Sequence, residues 1–197
     1  DLTFDKVNRT IVFHGDGYKR YGKILGIKSY PEATNEDLLK NLLKSTDQFI
    51  VLQNILPLDL EHNKKQISKK IKHSESLVNL GFMQNRLQDL EEAGEALEAG
   101  KINFVNHNLQ IMILADSYEE LSASHRNIEA ALNNSGITSI AESMALETSF
   151  WSFFPDYENI SGRKVKITSE NIADFINLGS AHEAVSYTHL TLPTIRL

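Results

Sequence analysis

Cysteine is absent from the 197 residues. That rules out structural disulfides and thiolate metal sites, and it permits a reducing compartment without requiring one. Long apolar runs are missing too. The most hydrophobic stretches, Phe49 to Leu60 and Leu109 to Ala115, fall short of the ~20 residues that span a bilayer and read as buried strands. Positive charge is not in excess: the formal net charge is −6. A general nucleic-acid binder needs basic surface to displace counterions, so no direct nucleic-acid site is expected. No secretory leader is seen, since Asp1, Asp5, Lys6 and Arg9 open the chain. A start at Asp1 rather than Met predicts a piece of something longer.

Catalytic signatures are equally scarce. The nearest approach to a phosphate loop is Gly94-Glu-Ala-Leu-Glu-Ala-Gly-Lys101, with one residue too many between its glycines and Ile102 where a hydroxyl should hold magnesium. Glu95 and Glu98 would repel phosphate there, so Gly100 reads instead as a helix C-cap. His14, His62, His73, His107, His125 and His182 show no metal-ligand spacing, and no HExxH pair exists. His125 falls on the inner stripe of a helix, as a core or rim residue. Gly15 and Gly17 are followed by Lys19 and Arg20 rather than a third glycine, and there is no GxSxG elbow. No catalytic, metal or cofactor residue is assigned.

What is present is ordinary globular material, 41% hydrophobic and 23% charged. Ile11 to Phe13, Arg20 to Ser29, Gln48 to Leu58, Phe104 to Ala115 and Ile137 to Ser143 read as strands. Thr34 or Asn35 is expected to cap a helix carrying Leu38, Leu39, Leu42 and Leu43. Ser117-Tyr-Glu-Glu120 is a capping box, and Gly136 stops its helix. Met144 to Phe154 predicts a short helix ended by Pro155. Val165 to Ile167 is extended, and Ser169 is expected to cap a last helix through Leu178.

Residues 61–100 carry helical periodicity in two arms. The first is basic, with Lys64, Lys65, Lys69, Lys70 and Lys72, and places Ile67, Ile71 and Val78 at near-heptad spacing. The second is acidic, with Asp89, Glu91, Glu92, Glu95 and Glu98, and has Met83, Leu87, Leu90 and Leu97 on a stripe that Gly94 weakens. A break near Asn79 to Gly81 predicts an antiparallel hairpin of opposite charges. Lys64, Lys65, Lys69 and Lys70 could meet an acidic partner or anionic lipid, or simply the acidic arm. The order of elements predicts an α+β fold, a ferredoxin-like β-α-β-β-α-β antiparallel sheet with helices on one face. The hairpin would be inserted between its second and third strands.

Two stretches are more distinctive. Phe150-Trp-Ser-Phe-Phe-Pro155 followed by Ile167-Thr-Ser-Glu-Asn-Ile-Ala-Asp-Phe175 resembles the end of the accessory domain in the CagE/TrbE/VirB family of type IV secretion ATPases. Tyr21-Gly-Lys-Ile-Leu-Gly-Ile-Lys28 and Tyr30-Pro31 are similar to a strand of the same family. Gln53 to Asp59, Leu109 to Leu121 and Ser135 to Glu142 follow in order. Ser152-Phe-Phe154, Asp156-Tyr157 and Ile172 depart from its usual pattern. The motif residues are Tyr21, Gly22, Lys28, Tyr30, Pro31, Phe150, Trp151, Pro155, Ile167, Thr168, Ser169 and Asn171. None of them is catalytic, and by itself each reads as packing.

The resemblance implies an N-terminal accessory domain over residues 1–178. Its parent would be an ATPase using ATP and magnesium, with the Walker loop downstream of Leu178 and this fragment inactive alone. It further implies inner-membrane channel components as partners, a homo-oligomer in the full-length protein, and a cytoplasmic, peripheral place on the inner membrane. The alternatives are a stand-alone ferredoxin-like interaction module and a small phosphate-cleaving enzyme on the same scaffold.

The last stretch, Val185-Ser-Tyr-Thr-His-Leu-Thr-Leu-Pro-Thr194, resembles a translated sequencing adapter. Residues 185–197 are therefore expected to be a non-native tail and 179–184 a truncated linker.

Overall fold

Alternation at every second residue makes Phe104–Ala115 the spine of the sheet. Leu109, Ile111, Ile113 and Ala115 enter one apolar cluster and Met112 another, with Leu114 packed beside it, as a period of two requires. The computed structural model describes residues 1–31, 33–35, 37–78, 84–157, 160 and 162–176. Its strands are β1 (Leu2–Asp5), β2 (Thr10–His14), β3 (Lys19–Ser29), β4 (Phe49–Pro57), β5 (Phe104–Ala115), β6 (Thr138–Ala141) and β7 (Val165–Thr168). The helices are α1 (Lys40–Leu43), α2 (Leu60–Val78), α3 (Gln84–Glu98), α4 (Tyr118–Asn134), α5 (Leu146–Trp151) and α6 (Ser169–Ile176).

Every described pairing is antiparallel, in the order β1-β2-β3-β5-β4. β6 joins β3 over Leu25–Ser29, beyond the part that β2 occupies, and β7 joins β5 over Phe104–His107, beyond β3. The α+β class and the antiparallel sheet agree with the sequence reading. β1 was not anticipated: its residues Leu2 and Phe4 alternate with polar neighbours, and only pairing with β2 turns that pattern into a strand.

Helices do not keep to one face. Leu121, Ile128 and Leu132 of α4, Leu42 of α1 and Phe175 of α6 share the larger core with Leu25, Ile27 and Ile111. On the opposite face, Leu146 and Phe150 of α5 pack with Ile11, Ile24 and Met112, and Phe4 and Phe13 lie against them. Gly22 makes this possible, since a Cβ there would lie 2.8 Å from the Phe13 ring.

The capping box of α4 forms with one difference. Ser117 Oγ accepts from the Glu120 amide at 3.1 Å, but the Glu120 carboxylate accepts from the Asp116 amide at 3.0 Å, one residue earlier than the usual partner. Gly136, at φ 74°, ends the helix as expected.

Two other caps move. α1 is a single turn, because the Asn35 side chain accepts from the Asp37 amide in a local turn and Thr34 is held elsewhere. The last helix is capped by Thr168, not Ser169: Thr168 Oγ1 accepts from the Asn171 amide at 3.2 Å. Ser169 Oγ instead accepts from the Asn103 amide at 3.1 Å, tying the start of α6 to the start of β5.

α2 and α3 leave and re-enter the sheet where β4 and β5 are paired, Pro57 opposite Val105. Ile67, Leu97 and Ile102 form a small core of their own. Gly94 is not merely a weak point, because a Cβ there would lie 3.2 Å from Ile71 Cδ1. Its absence lets the two helices approach closely. The expected break near Asn79 to Gly81, the linker 179–184 and the tail 185–197 lie outside the described residues.

Candidate assembly interface

The motif residues from distant parts of the chain converge. Tyr30 OH lies 3.1 Å from His107 Nδ1, and His107 Nε2 lies 3.1 Å from Gln53 Oε1. Gln53 Nε2 donates to the Phe175 carbonyl at 3.1 Å. The Tyr30, His107 and Phe175 rings pack within 4.8–5.6 Å of one another. Burial pushes the Tyr30 hydroxyl well above the usual phenol range and pulls His107 down to about 4. His107 is therefore neutral near pH 7.

Asn171 Nδ2 donates to Thr34 Oγ1 at 2.9 Å, and Thr34 donates to Asp174. A Cβ at Gly136 would lie 3.0 Å from Pro31 Cβ. Tyr30-Pro31 and the stretch Ile167–Asn171 thus form one seam that clamps α6 onto the sheet. Tyr21 and Ile167 pack at the edge of the larger core, whereas Lys28 is exposed. Sequence reasoning missed His107, whose partners lie 54 and 77 positions away.

The second motif divides between inside and outside. Phe150 is buried against Phe4 and Phe13. Trp151 is 38% exposed and Phe154, Tyr157 and Ile160 more so. The Trp151 ring packs on Phe154 and Tyr157 at 5.6 and 6.3 Å, so the aromatic ridge stands on the surface beside Pro155. Exposed aromatic clusters of this kind suit protein contacts.

Close by, the guanidinium of Arg163 pairs with the buried carboxylate of Glu142. Gly26 leaves room for that pair, since a Cβ there would lie 2.3 Å from Glu142 Oε1.

On the hairpin, Lys64 Nζ reaches Glu98 Oε2 at 3.2 Å and Glu61 Oε1 at 3.8 Å. Lys65, Lys69 and Lys70 are exposed and make no ion pair among the described residues. Lys64–Glu98 is thus an instance of the sequence-predicted charge pairing between arms. Lys166 anchors the base of the hairpin, donating to Asn63 Oδ1 at 2.6 Å and Gln66 Oε1 at 3.0 Å over the Phe104 ring. Burial lowers its ammonium below the ordinary lysine value, with Lys70 adding to the shift.

The stretch Gly94–Lys101 is folded as the end of a helix and not as a phosphate loop. Gly94 sits inside α3, and Gly100, at φ 68°, closes it as a C-cap. The Lys101 amide donates to the Ala96 carbonyl at 2.9 Å and is not presented to a phosphate. Among the described residues no group of three or more metal-ligating side chains occurs, and no helix is long and apolar enough to cross a membrane.

A profile of the CagE, TrbE, VirB family, a component of the type IV transporter system, matches residues 2–163. The chain belongs to that family. It is similar to the protein virB4 of Rhizobium radiobacter, 24% identical over 85% of this chain and 21% of that protein. It is also similar to the type IV secretion system proteins virB4 of Bartonella henselae and Bartonella quintana. Those are 24% and 25% identical over 83% and 79% of this chain, and 21% and 20% of theirs. The chain therefore spans about a fifth of the length of the curated relatives it matches.

Proposed function

We propose that this chain is the N-terminal assembly domain of a type IV secretion ATPase that powers conjugal DNA transfer or effector export. It docks a motor domain to inner-membrane channel components and to neighbouring subunits. The observation that carries this reading is the family match over residues 2–163 of a chain whose match covers about one fifth of its relatives' length. The exposed aromatic ridge and the charged hairpin supply surfaces for such contacts. The strands β6-β3-β5-β4, with α1 and α4, are read as a ferredoxin-like unit into which α2 and α3 are inserted. In this reading ATP and magnesium belong to the motor domain. The whole protein is a homo-oligomer held on the cytoplasmic side of the inner membrane through its partners.

Reading the source coding sequence past residue 178 tests this directly. A GxxxxGK[ST] loop followed by a Walker B strand is expected. A native stop codon soon after residue 178 would instead make the chain a stand-alone interaction module. A functional test is overproduction of the chain in cells carrying the cognate machine. Assembly contacts predict a dominant loss of transfer, and unchanged transfer counts against them.

A further inference from the structure

We infer that the α2–α3 hairpin is a self-complementary surface that pairs with the same hairpin of a second copy of this chain. The proposal rests on the assembly reading only for its biological use.

Two shallow grooves adjoin on one side of the hairpin. The first, about 410 Å³, runs along the seam between Ile67, Ile71 and Gly94, and its α3 rim is Glu91, Glu95 and Glu98. The second, about 450 Å³, is lined by lysines of α2, among them Lys65, Lys69 and Lys72. Ser68 and Glu98 belong to both, which places the two grooves side by side. One side of the hairpin is thus an apolar seam with an acidic rim on α3 and a basic rim on α2.

The rims match in spacing. Lys65, Lys69 and Lys72 stand at positions i, i+4 and i+7, and so do Glu91, Glu95 and Glu98. Each rim therefore runs roughly 10 Å along its helix. Lys65, Lys69, Glu91 and Glu95 make no ion pair among the described residues, whereas Glu98 already meets Lys64 across the arms and Lys72 is engaged. Lys65, Lys69, Glu91 and Glu95 are all exposed.

A second copy placed face to face, rotated about a two-fold axis parallel to the helices, sets each basic rim on an acidic rim. The contact is made twice by symmetry, as in isologous dimers. It covers the groove beside the half-buried Ile71 in both copies inside a four-helix arrangement, with opposite charges flanking the seam; Ile67 is already buried in the hairpin's own core. An anionic membrane would satisfy only the lysines and would repel the glutamates beside them, so a copy of the chain fits both rims better.

Sedimentation equilibrium of the 197-residue chain over a range of concentrations tests the joint. A monomer–dimer equilibrium that weakens with salt is expected. The double changes Lys65→Glu/Lys69→Glu and Glu91→Lys/Glu95→Lys should each weaken dimerisation by about tenfold or more. An equimolar mixture of the two variants should restore it, because one then presents two acidic rims and the other two basic ones. Circular dichroism confirms that both variants are folded.

A chain that stays monomeric throughout, or a dimer indifferent to both double changes, overturns the proposal. So does a mixture that fails to recover, or binding to phosphatidylglycerol vesicles that depends on the lysines in a chain that does not dimerise. A monomer whose overproduction still blocks transfer sinks the joint and leaves the assembly reading standing. A dimer without a downstream phosphate loop does the reverse.

Discussion

Tyr30 and His107 meet across 77 positions of sequence through a 3.1 Å contact between hydroxyl and imidazole, with Phe175 of α6 packed on both rings. The contact joins the end of β3, the start of β5 and the last described helix in one buried cluster. Its chemistry sets a pH dependence. His107 is held at about 4 by burial, below the ordinary 6.5 it regains on unfolding. The unfolded chain therefore takes up the proton first. Stability from this group is complete above about pH 6.5 and is lost as pH falls toward 4, with a total near 3 kcal/mol. Urea midpoints between pH 7 and 4.5 should fall steeply for the native chain and less for His107→Gln, even if that variant starts lower. Equal slopes would remove His107 as the cause.

Thr168 and Asn171 form the reciprocal cap of α6, with Thr168 Oγ1 also donating to Asn171 Oδ1 at 2.6 Å. Thr168→Ala should cost about 1 kcal/mol, and Thr168→Ser much less. Asn171→Ala should cost more than Thr168→Ala, because it also removes the contact to Thr34. Ser169→Ala should leave the α6 cap intact, and denaturant titration of the four variants distinguishes the two assignments.

Gly26 is required by the ion pair that crosses over it. Gly26→Ala would drive a methyl into Glu142 and Arg163, and a loss of about 3 kcal/mol is expected. Arg163→Met leaves the Glu142 carboxylate buried without its partner, an effect of up to about 3–5 kcal/mol. Adding Glu142→Gln to Arg163→Met should recover part of that loss, which a double-mutant cycle in urea measures.

Phe150 and Trp151 are neighbours with opposite surroundings. Phe150→Ala should destabilise the chain by about 3–5 kcal/mol, and Trp151→Ala by about 1 kcal/mol or less, since its ring is 38% exposed. Trp151 is the single tryptophan, so native fluorescence reports on it alone. Acrylamide should quench that emission readily in the folded chain, and a fully shielded signal would contradict the exposed ridge.

The elements legible in the sequence are those with strong local signals. β4 and β5 carry the most apolar stretches of the chain, α4 carries a capping box and a terminal glycine, and the hairpin carries helical periodicity. What escaped depends on partners far along the chain. β1 is a strand because β2 lies beside it. Thr34 fails as a cap because Asn171 and Asp174 claim its hydroxyl. Tyr30-Pro31 and Ile167–Asn171 were readable as motifs, but their meeting at α6 needed His107, which has no distinguishing neighbours in sequence. The opposite charges of the two arms were visible as well, whereas the close approach of the helices at Gly94 followed only from the structure.

The attachment of α2 and α3 has one more consequence. The Leu58 amide donates to the Phe104 carbonyl at 3.1 Å, so the sheet closes its own ladder at the point where the hairpin departs. The hairpin is stabilised mainly by its private core of Ile67, Leu97 and Ile102. Amide protons of α2 and α3 should therefore exchange with solvent through openings that leave β5 protected, two opening free energies within one chain. The arm can melt and re-form on its own schedule while the platform that carries it stays shut.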